Sequence, residues 1–419
     1  MLMRRTVKDG RRVVVTGMGA ITPLGHRVEE LRCGLREGRS GIAPLTRFDT
    51  KESSIKVAAE VKDFEPTDHF TKMQVMKLDP FSQYALVASR EAYADSGLAD
   101  VAFDRGRFSV IFGSGVGGGT IGPEHSRYES AGTKGVSSMT IPTNLVNMAA
   151  ANVAMAVQAY GSCTPIVTAC ATGSDCIGRG FQDVRDGYSD VVLAGAAEAS
   201  ITPVIIGGFA AIKALSESQD PARASIPFDR ERNGYVMGEG AGSLILEELD
   251  HALARGATIH AEVVAYGSTC DAYNLTAPDP KLTQGVRAIR LALEEADLRP
   301  VNIDYVNAHG TSTKMNDAYE TRIMREVFGA DHPDVPISST KSMTGHLMGA
   351  AGAVEGIISI LTVRDGYIPP TIGYREPDED CDLNYTPNVG VERPVEYAMS
   401  NSLGFGGHNS VLIFKRWAS

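Results

Sequence analysis

Apolar runs rich in β-branched residues alternate with amphipathic segments along the chain. Such runs are typical of buried strands. Between them, Asp79-Pro80 predicts the start of a helix that ends before Gly97, and residues 316–328 have helical periodicity. Strands separated by helices predict an α/β fold with buried sheets. The predicted strands are RVVVTG, FSVIFGSG, PIVTAC, DVVLAGAAE, IHAEVVAYG, IDYVNAHG, VPISST and SVLIFKRW.

This alternation continues without a linker, a charged block or a low-complexity stretch, so we expect one compact unit. One series of strands begins near Arg12 and an equivalent series near Ile259. The two series suggest two similar halves, residues 1–258 and 259–419. Sequence identity between the halves is not visible, so an internal duplication is a hypothesis.

Targeting and membrane segments are not expected. The basic MLMRRTVKDG leads into a strand-like run, unlike a signal peptide. The apolar stretch 191–212 contains Glu198 and Pro203, and the stretch 348–363 is short and contains Glu355, so neither predicts a membrane span. We therefore expect a cytoplasmic protein that does not bind membranes.

Composition and charge limit the kinds of partner that the protein can bind. The 419 residues are 43% hydrophobic and 22% charged, which is ordinary for a globular protein. The net charge of −11 does not favour binding to nucleic acid. Any acidic partner needs a local basic patch. The six cysteines lack zinc-type spacing, so we expect free thiols and no metal site.

The glycine-rich GSGVGG at 113–118 matches the GxGxxG spacing after a strand that ends at Phe112. The residues that follow are a poor helix start, so we favour close backbone approach around a core or ligand channel. A nucleotide-binding dehydrogenase is the alternative, although it leaves the histidine motifs described below unused. Tight binding of a nicotinamide cofactor would support it.

The stretch IVTACATGSD, residues 166–175, places Cys170 between a strand and a helix. Unpaired cysteine is usually a small buried hydrophobe. At this position, however, the thiol can face the free N–H groups of the first helical turn, whose partial positive charge lowers a thiol pKa. We therefore interpret Cys170 as a nucleophile.

Two histidine segments follow other strands: NAHGTST at 307–313 and KSMTGH at 341–346. Active sites of α/β sheets lie at strand ends, so His309, His346 and Cys170 are expected to form one site. Two imidazoles can both donate N–H groups to a carbonyl oxygen as negative charge develops there. This arrangement suits carbanion or enolate chemistry better than hydrolysis.

The segments TACATGSD, NAHGTST, KSMTGHLMGAAGAVE and NSLGFGGHNS, in this order and spacing, resemble the β-ketoacyl-[acyl-carrier-protein] synthases, most closely the synthase II group of fatty acid elongation. The resemblance extends from VVVTGMGAITPLG to SVLIFKR and covers nearly the whole chain. It implies the thiolase fold, a five-layered αβαβα arrangement of two similar halves, and a homodimer.

The resemblance also implies roles for matching residues. Cys170 would be the acylated nucleophile, His309 and His346 would complete the triad, and Lys341 would be the supporting cation. The backbone N–H groups of Cys170 and Phe405 would form the oxyanion hole. Thr311 and Thr313 would bind the phosphopantetheine arm of the acyl carrier protein, so no cofactor of the enzyme's own is expected. Phe405 would gate an acyl tunnel lined near Val116 and Met139.

The family docks its acidic carrier protein on basic residues. In the matching segment FTKMQVMKLD, Met73 and Met76 stand where basic residues are expected. Lys72, Lys77 and Lys213 remain as docking candidates.

The implied reaction is the decarboxylating Claisen condensation of an acyl-carrier-protein primer with malonyl-carrier protein, giving a 3-oxoacyl product two carbons longer. One alternative is the ketosynthase subunit of a type II polyketide synthase, which needs a chain-length-factor partner. A thiolase is disfavoured because residues 401–410 lack a second cysteine. A non-catalytic partner subunit is disfavoured because Cys170 is present.

Overall fold

The computed structural model describes residues 10–119, 121–329 and 331–418, so most of the basic MLMRRTVKDG lies outside it. The strands are β1 Val13–Ile21, β2 Ala43–Pro44, β3 Val57–Ala58, β4 Phe108–Gly113, β5 Cys163–Thr164, β6 Val191–Glu198, β7 Gly240–Glu248, β8 Ala261–Cys270, β9 Tyr305–Asn307, β10 Ile337–Ser338, β11 Tyr367–Ile368, β12 Val391–Glu392, β13 Tyr397–Gly404 and β14 His408–Arg416. The helices are α1 Val28–Glu37, α2 Lys72–Val75, α3 Pro80–Asp95, α4 Ile121–Ala131, α5 Thr140–Asn144, α6 Met148–Val157, α7 Thr172–Arg185, α8 Pro203–Ala211, α9 Pro221–Ala224, α10 Leu249–Ala254, α11 Thr283–Glu295, α12 Lys314–Phe328, α13 Lys341–Thr344 and α14 Ala351–Asp365.

The main sheet is built from two copies of one topology. Its strand order is β10-β9-β13-β14-β8-β1-β7-β6-β4-β5. The halves join where β1 pairs antiparallel with β8, through residues 13–15 and 261–263. Each half contributes five strands, which are numbered here first to fifth along the chain. Counted from the outer edge of the sheet to the joint, both halves place them in the order third, second, fourth, fifth, first. The parallel and antiparallel pairings are also the same in both halves. The two halves therefore share one strand topology.

Five layers follow from the helix contacts. Helices α7 and α14 pack on each other between the two half-sheets, and α14 touches both β7 and β13. Every residue of α14 from Ala351 to Val363 is buried, and all of them except Glu355, Ser359 and Thr362 are apolar or glycine, as expected for a helix surrounded by protein. Helices α3 and α6 cover the outer face of the N-terminal half, and α11 covers the outer face of the C-terminal half and packs on α12.

The sequence pattern located several of these elements and missed others. Helix α3 begins as predicted, with the Asp79 carboxylate accepting the Phe81 N–H at 3.2 Å.

Strand β5 occupies only Cys163–Thr164, so the predicted strand PIVTAC was wrong. Strands β7 and β13 were missed. The end of β7 is acidic, but Glu247 is fully buried because Arg255 and His251 pair with it.

Within the described ranges, no helix is long and apolar enough to span a bilayer. The same residues contain no group of three or more His, Cys, Asp or Glu side chains arranged to hold a metal ion. All six cysteines are free, as expected.

Candidate active site

Cys170 lies in a 3-10 turn, Ala169–Ala171, immediately before α7. Ala169 has φ +50°, a conformation that costs a non-glycine residue free energy. The Thr172 hydroxyl holds the turn, since it donates to the Ala169 carbonyl at 2.8 Å and accepts the Thr168 N–H at 2.9 Å. The turn therefore holds the thiol at a defined place, where its residue is 8% exposed.

The C-terminal half repeats this turn without the cysteine. Met348 also has φ +50° and opens a 3-10 turn, Met348–Ala350, which leads into α14. The residue equivalent to Cys170 is then Gly349. Of these two equivalent turns, the one in the N-terminal half carries a thiol and the one in the C-terminal half carries a glycine.

The electrostatics of Cys170 differ from the sequence expectation. Burial raises the pKa of the thiol to about 12, while the charge of Lys341 and a hydrogen bond from the Phe405 N–H lower it. A helix start alone was expected to lower this pKa. Desolvation of a thiolate outweighs the favourable contacts in the free protein.

The predicted oxyanion-hole donors lie at this turn. Strand β13 ends at Gly404, where a Cβ atom would lie 2.8 Å from the Thr168 carbonyl oxygen and 3.4 Å from the Cys170 nitrogen. Only glycine permits this approach, which brings the Phe405 N–H to the sulfur of Cys170. The structure thus brings the two N–H groups together, and their role in catalysis stays a prediction.

His309 and His346 face each other. His309 follows β9 and His346 follows α13, and their ring centroids are 5.4 Å apart at an interplanar angle of 88°. Both residues are 2% exposed, and neither Nδ1 atom makes a hydrogen bond to the described residues. Burial and the charge of Lys341 lower the pKa of both imidazoles well below the usual value, so both are neutral at pH 7.

Lys341 forms a buried ion pair with Glu355 of α14. Both side chains are almost completely buried. Breaking such a pair leaves an uncompensated charge, which is strongly unfavourable. Glu355 therefore keeps the charge of Lys341 inside the protein, where that charge lowers the pKa of the thiol and of both imidazoles.

The segment that carries His309 is held from α12. The Glu320 carboxylate accepts the backbone N–H groups of His309 at 2.8 Å and Gly310 at 2.7 Å. Thr311 and Thr313 follow, with hydroxyl oxygens 3.0 Å apart, and the Thr313 hydroxyl caps the N-terminus of α12. The two predicted arm-binding residues are therefore adjacent.

In the glycine-rich loop, a carboxylate takes the N–H groups of residues 115–117, which are therefore not free for a phosphate. The buried Glu198 carboxylate accepts N–H groups of residues 115–117, including Gly115 at 2.9 Å, and also the Gly349 N–H at 3.0 Å. Burial raises the pKa of Glu198 to about 7, although these hydrogen bonds oppose the rise. Gly115 allows close backbone approach, because its Cβ would lie 3.0 Å from the Gly349 nitrogen. The nucleotide alternative loses its support.

An apolar cluster surrounds Cys170. Val116 and Met139, predicted to line the tunnel, are half-buried and lie outside this cluster. Phe405 reaches it through Phe209, with ring centroids 6.3 Å apart. The buried members besides Cys170 are Leu45, Ile55, Ala58, Ile201, Ile206, Leu215, Tyr235, Met237 and Met348.

The three predicted docking lysines, Lys72, Lys77 and Lys213, are exposed. Met73 and Met76, on and just after α2, are 62% and 72% exposed. Exposure is compatible with docking but does not test it.

Sequence reasoning missed four residues at the site: Tyr235 and the carboxylates Glu198, Glu320 and Glu355. Two of them could have been found in the sequence, because Glu198 and Glu355 interrupt the apolar stretches at 191–212 and 348–363. A carboxylate inside a buried apolar element needs a hydrogen-bond or ion-pair partner, and the partners of these two lie at the site.

Comparison with known proteins identifies related chains. Family models for the N-terminal and C-terminal domains of β-ketoacyl synthase match residues 10–252 and 260–375. The 3-oxoacyl-[acyl-carrier-protein] synthase 2 of Synechocystis sp. is 43% identical over 411 residues, 98% of this chain and 99% of that protein. The ishigamide ketosynthase/chain length factor structure has a TM-score of 0.90 at 39% identity and covers 98% of this chain and 100% of that chain. A type II polyketide synthase acyl-carrier protein in complex with its ketosynthase, bound to the hexaketide, has a TM-score of 0.89 at 34% identity, with the same coverage.

Proposed function

The chain belongs to the β-ketoacyl synthase family, and we propose that it condenses an acyl-carrier-protein primer with malonyl-carrier protein in fatty acid elongation. The observation that carries the proposal is the pair of neutral, buried imidazoles facing each other beside a cationic lysine and a buried cysteine. The product is a 3-oxoacyl-carrier protein two carbons longer.

The first step transfers the acyl group to Cys170. The sulfur attacks the thioester carbonyl, and the N–H groups of Cys170 and Phe405 hold the oxyanion. A neutral imidazole accepts the thiol proton, which compensates for a pKa of about 12. Collapse of the intermediate forms acyl-Cys170 and breaks the bond to the carrier thiol, which leaves with that proton.

The second step uses malonyl-carrier protein. The bond between its carboxylate and the α-carbon breaks, CO2 leaves, and the electron pair forms an enolate. N–H groups of His309 and His346 stabilise the enolate oxygen, and one such donor is typically worth about 10² to 10³ in rate. The carbanion attacks acyl-Cys170, a carbon–carbon bond forms, and the Cys170 thiolate leaves and takes up one proton.

Thr311 and Thr313 would bind the phosphopantetheine arm of either carrier protein. Phe405 would gate the acyl chamber lined by the apolar cluster around Cys170, with Val116 and Met139 farther along it. Lys72, Lys77 and Lys213 would contact the acidic carrier protein. The enzyme would need no cofactor of its own, since the arm arrives with the substrate.

A homodimer is proposed at the edge of the main sheet. Both residues of β5 are exposed, and β5 is the last strand in the sheet order. Unpaired sheet edges are templates for pairing with another chain. Met155, Tyr160 and Val167 near this edge are each more than half exposed, so a second copy would cover apolar surface.

A type II polyketide ketosynthase is the second candidate, favoured by two structural neighbours that are ketosynthases of such systems or carry a chain length factor. The site chemistry would be the same. The difference would be the need for a partner chain at the β5 edge.

Intact-mass analysis tests the proposal. The purified protein is incubated with dodecanoyl-carrier protein and then with malonyl-carrier protein. We expect an acyl adduct on the wild type and on the matched control Cys163→Ala, none on Cys170→Ala, and discharge to a 3-oxotetradecanoyl product. An adduct on Cys170→Ala would refute the nucleophile. Well-folded protein that forms no adduct until a partner chain is added would support the polyketide candidate instead.

A further inference from the structure

Tyr235 carries a buried hydroxyl that the condensation chemistry described above does not use. The residue is 5% exposed, and its hydroxyl makes no hydrogen bond to any described residue. Buried tyrosine hydroxyls are ordinarily partnered, because an unmade hydrogen bond costs the desolvation of the donor. An unpartnered donor in the wall of a reaction site indicates that a ligand supplies its acceptor.

The position of Tyr235 puts this donor among the reacting groups. Its ring packs edge-on against His346, with centroids 5.1 Å apart, and on Phe209 at 5.9 Å. It belongs to the apolar cluster that surrounds Cys170. Burial raises the pKa of Tyr235, and the charge of a Cys170 thiolate raises it further, so the hydroxyl stays protonated and can donate.

The backbone fixes this placement. The Tyr235 N–H donates to the Ala214 carbonyl at 3.0 Å, and its own carbonyl accepts the Ser216 N–H at 2.9 Å. The next carbonyl, that of Val236, accepts the His346 N–H at 2.8 Å. The backbones of Tyr235 and His346 are therefore held by neighbouring carbonyl groups, which fixes the placement of the two rings relative to each other.

The proposed reaction leaves one oxygen group without a protein donor. The thioester carbonyl has the N–H groups of Cys170 and Phe405, and the enolate oxygen has His309 and His346. The malonyl carboxylate has none of these, and the acyl chain accepts no hydrogen bond. Resting on the proposed function, we infer that the Tyr235 hydroxyl donates a hydrogen bond to the malonyl carboxylate before it leaves as CO2.

This hydrogen bond acts on the ground state. The carboxylate loses its charge as CO2 forms, so the bond weakens in the transition state and contributes to binding rather than to the chemical step. Tyr235→Phe keeps the ring and removes the donor. We expect the KM for malonyl-carrier protein to rise about tenfold to a hundredfold, while kcat for CO2 release does not fall.

The experiment measures CO2 release against malonyl-carrier protein concentration, acyl transfer to Cys170 by intact mass, and the thermal midpoint. Tyr319→Phe is the matched control, because that hydroxyl is also buried and unpartnered among the described residues but belongs to α12 and a different apolar cluster. Tyr235→Phe should raise only the malonyl KM, with acyl transfer and the thermal midpoint unchanged or improved. Tyr319→Phe should change none of the kinetic values.

An unchanged malonyl KM in Tyr235→Phe would overturn the inference while leaving the condensation intact. Equal losses in malonyl and acyl handling would also overturn it, because they would mean a general packing role. A wild type that acylates Cys170 but never releases CO2 would overturn the proposed function and the inference with it.

Discussion

Removing the charge of Lys341 tests how far the buried ion pair controls the site. In Lys341→Met, the carboxylate of Glu355 stays buried without its cation. Breaking a buried pair in this way costs about 3–5 kcal/mol. An unfolding entropy of about 2.1 cal/mol/K per residue gives roughly 0.9 kcal/mol/K for 419 residues, so we expect the thermal midpoint to fall by about 3–6 °C.

The double variant Lys341→Met/Glu355→Leu separates stability from chemistry. Replacing both partners of a buried pair by apolar side chains is often neutral or stabilising, so most of the lost stability should return. The wild-type pH dependence of CO2 release should not return. Burial lowers the pKa of His309 and His346 most, and the lysine charge lowers it further, so loss of that charge lets both pKa values rise while burial still holds them below the usual value.

The assay is CO2 release from malonyl-carrier protein from pH 8 down to the lowest pH at which the protein stays folded. Protonation of the imidazoles removes activity on the acid side. Because both pKa values are higher in the double variant, we expect the fall in activity to begin at a higher pH than in the wild type. A stable double variant with the wild-type pH profile would refute the assignment of Lys341 to the site's electrostatics.

His309→Ala and His346→Ala should each lower CO2 release about 10²-fold or more, with a smaller effect on acyl transfer to Cys170; equal losses in both assays would contradict the division of roles. Alkylation of Cys170 by iodoacetamide should rise about tenfold per pH unit from pH 6 to 9, because burial raises the pKa of the thiol to about 12; with Cys170→Ala as background, a plateau in this range would contradict the raised pKa. Gly404→Ala should slow acyl transfer about 10²-fold, because its Cβ would lie 2.8 Å from the Thr168 carbonyl oxygen and displace one oxyanion donor. Gly207→Ala on α8, where a Cβ meets nothing within 4 Å, is the matched control and should acylate normally; similar rates in both variants would refute the close-approach argument.

The family was readable from the chain, and so were the candidate residues that the structure brings together, because Cys170, His309, Lys341 and His346 lie in short segments of recognisable sequence. Their catalytic roles stay predictions. The duplication was only suggested, since the halves share no visible identity. It became evident from strand order and pairing, which depend on contacts between segments far apart in the chain.

The sequence by itself determined the α/β alternation, the start of α3 and which segments hold Cys170 and the two histidines. Only the tertiary structure decided what surrounds them. It set the pKa of Cys170 above its usual value and assigned the N–H groups of residues 115–117 to Glu198. It also packed the ring of Tyr235 against His346, with no partner for the tyrosine hydroxyl among the described residues. The reason is physical: desolvation and hydrogen-bond partners depend on residues that are distant in sequence, whereas periodicity and turn chemistry act over a few neighbouring positions.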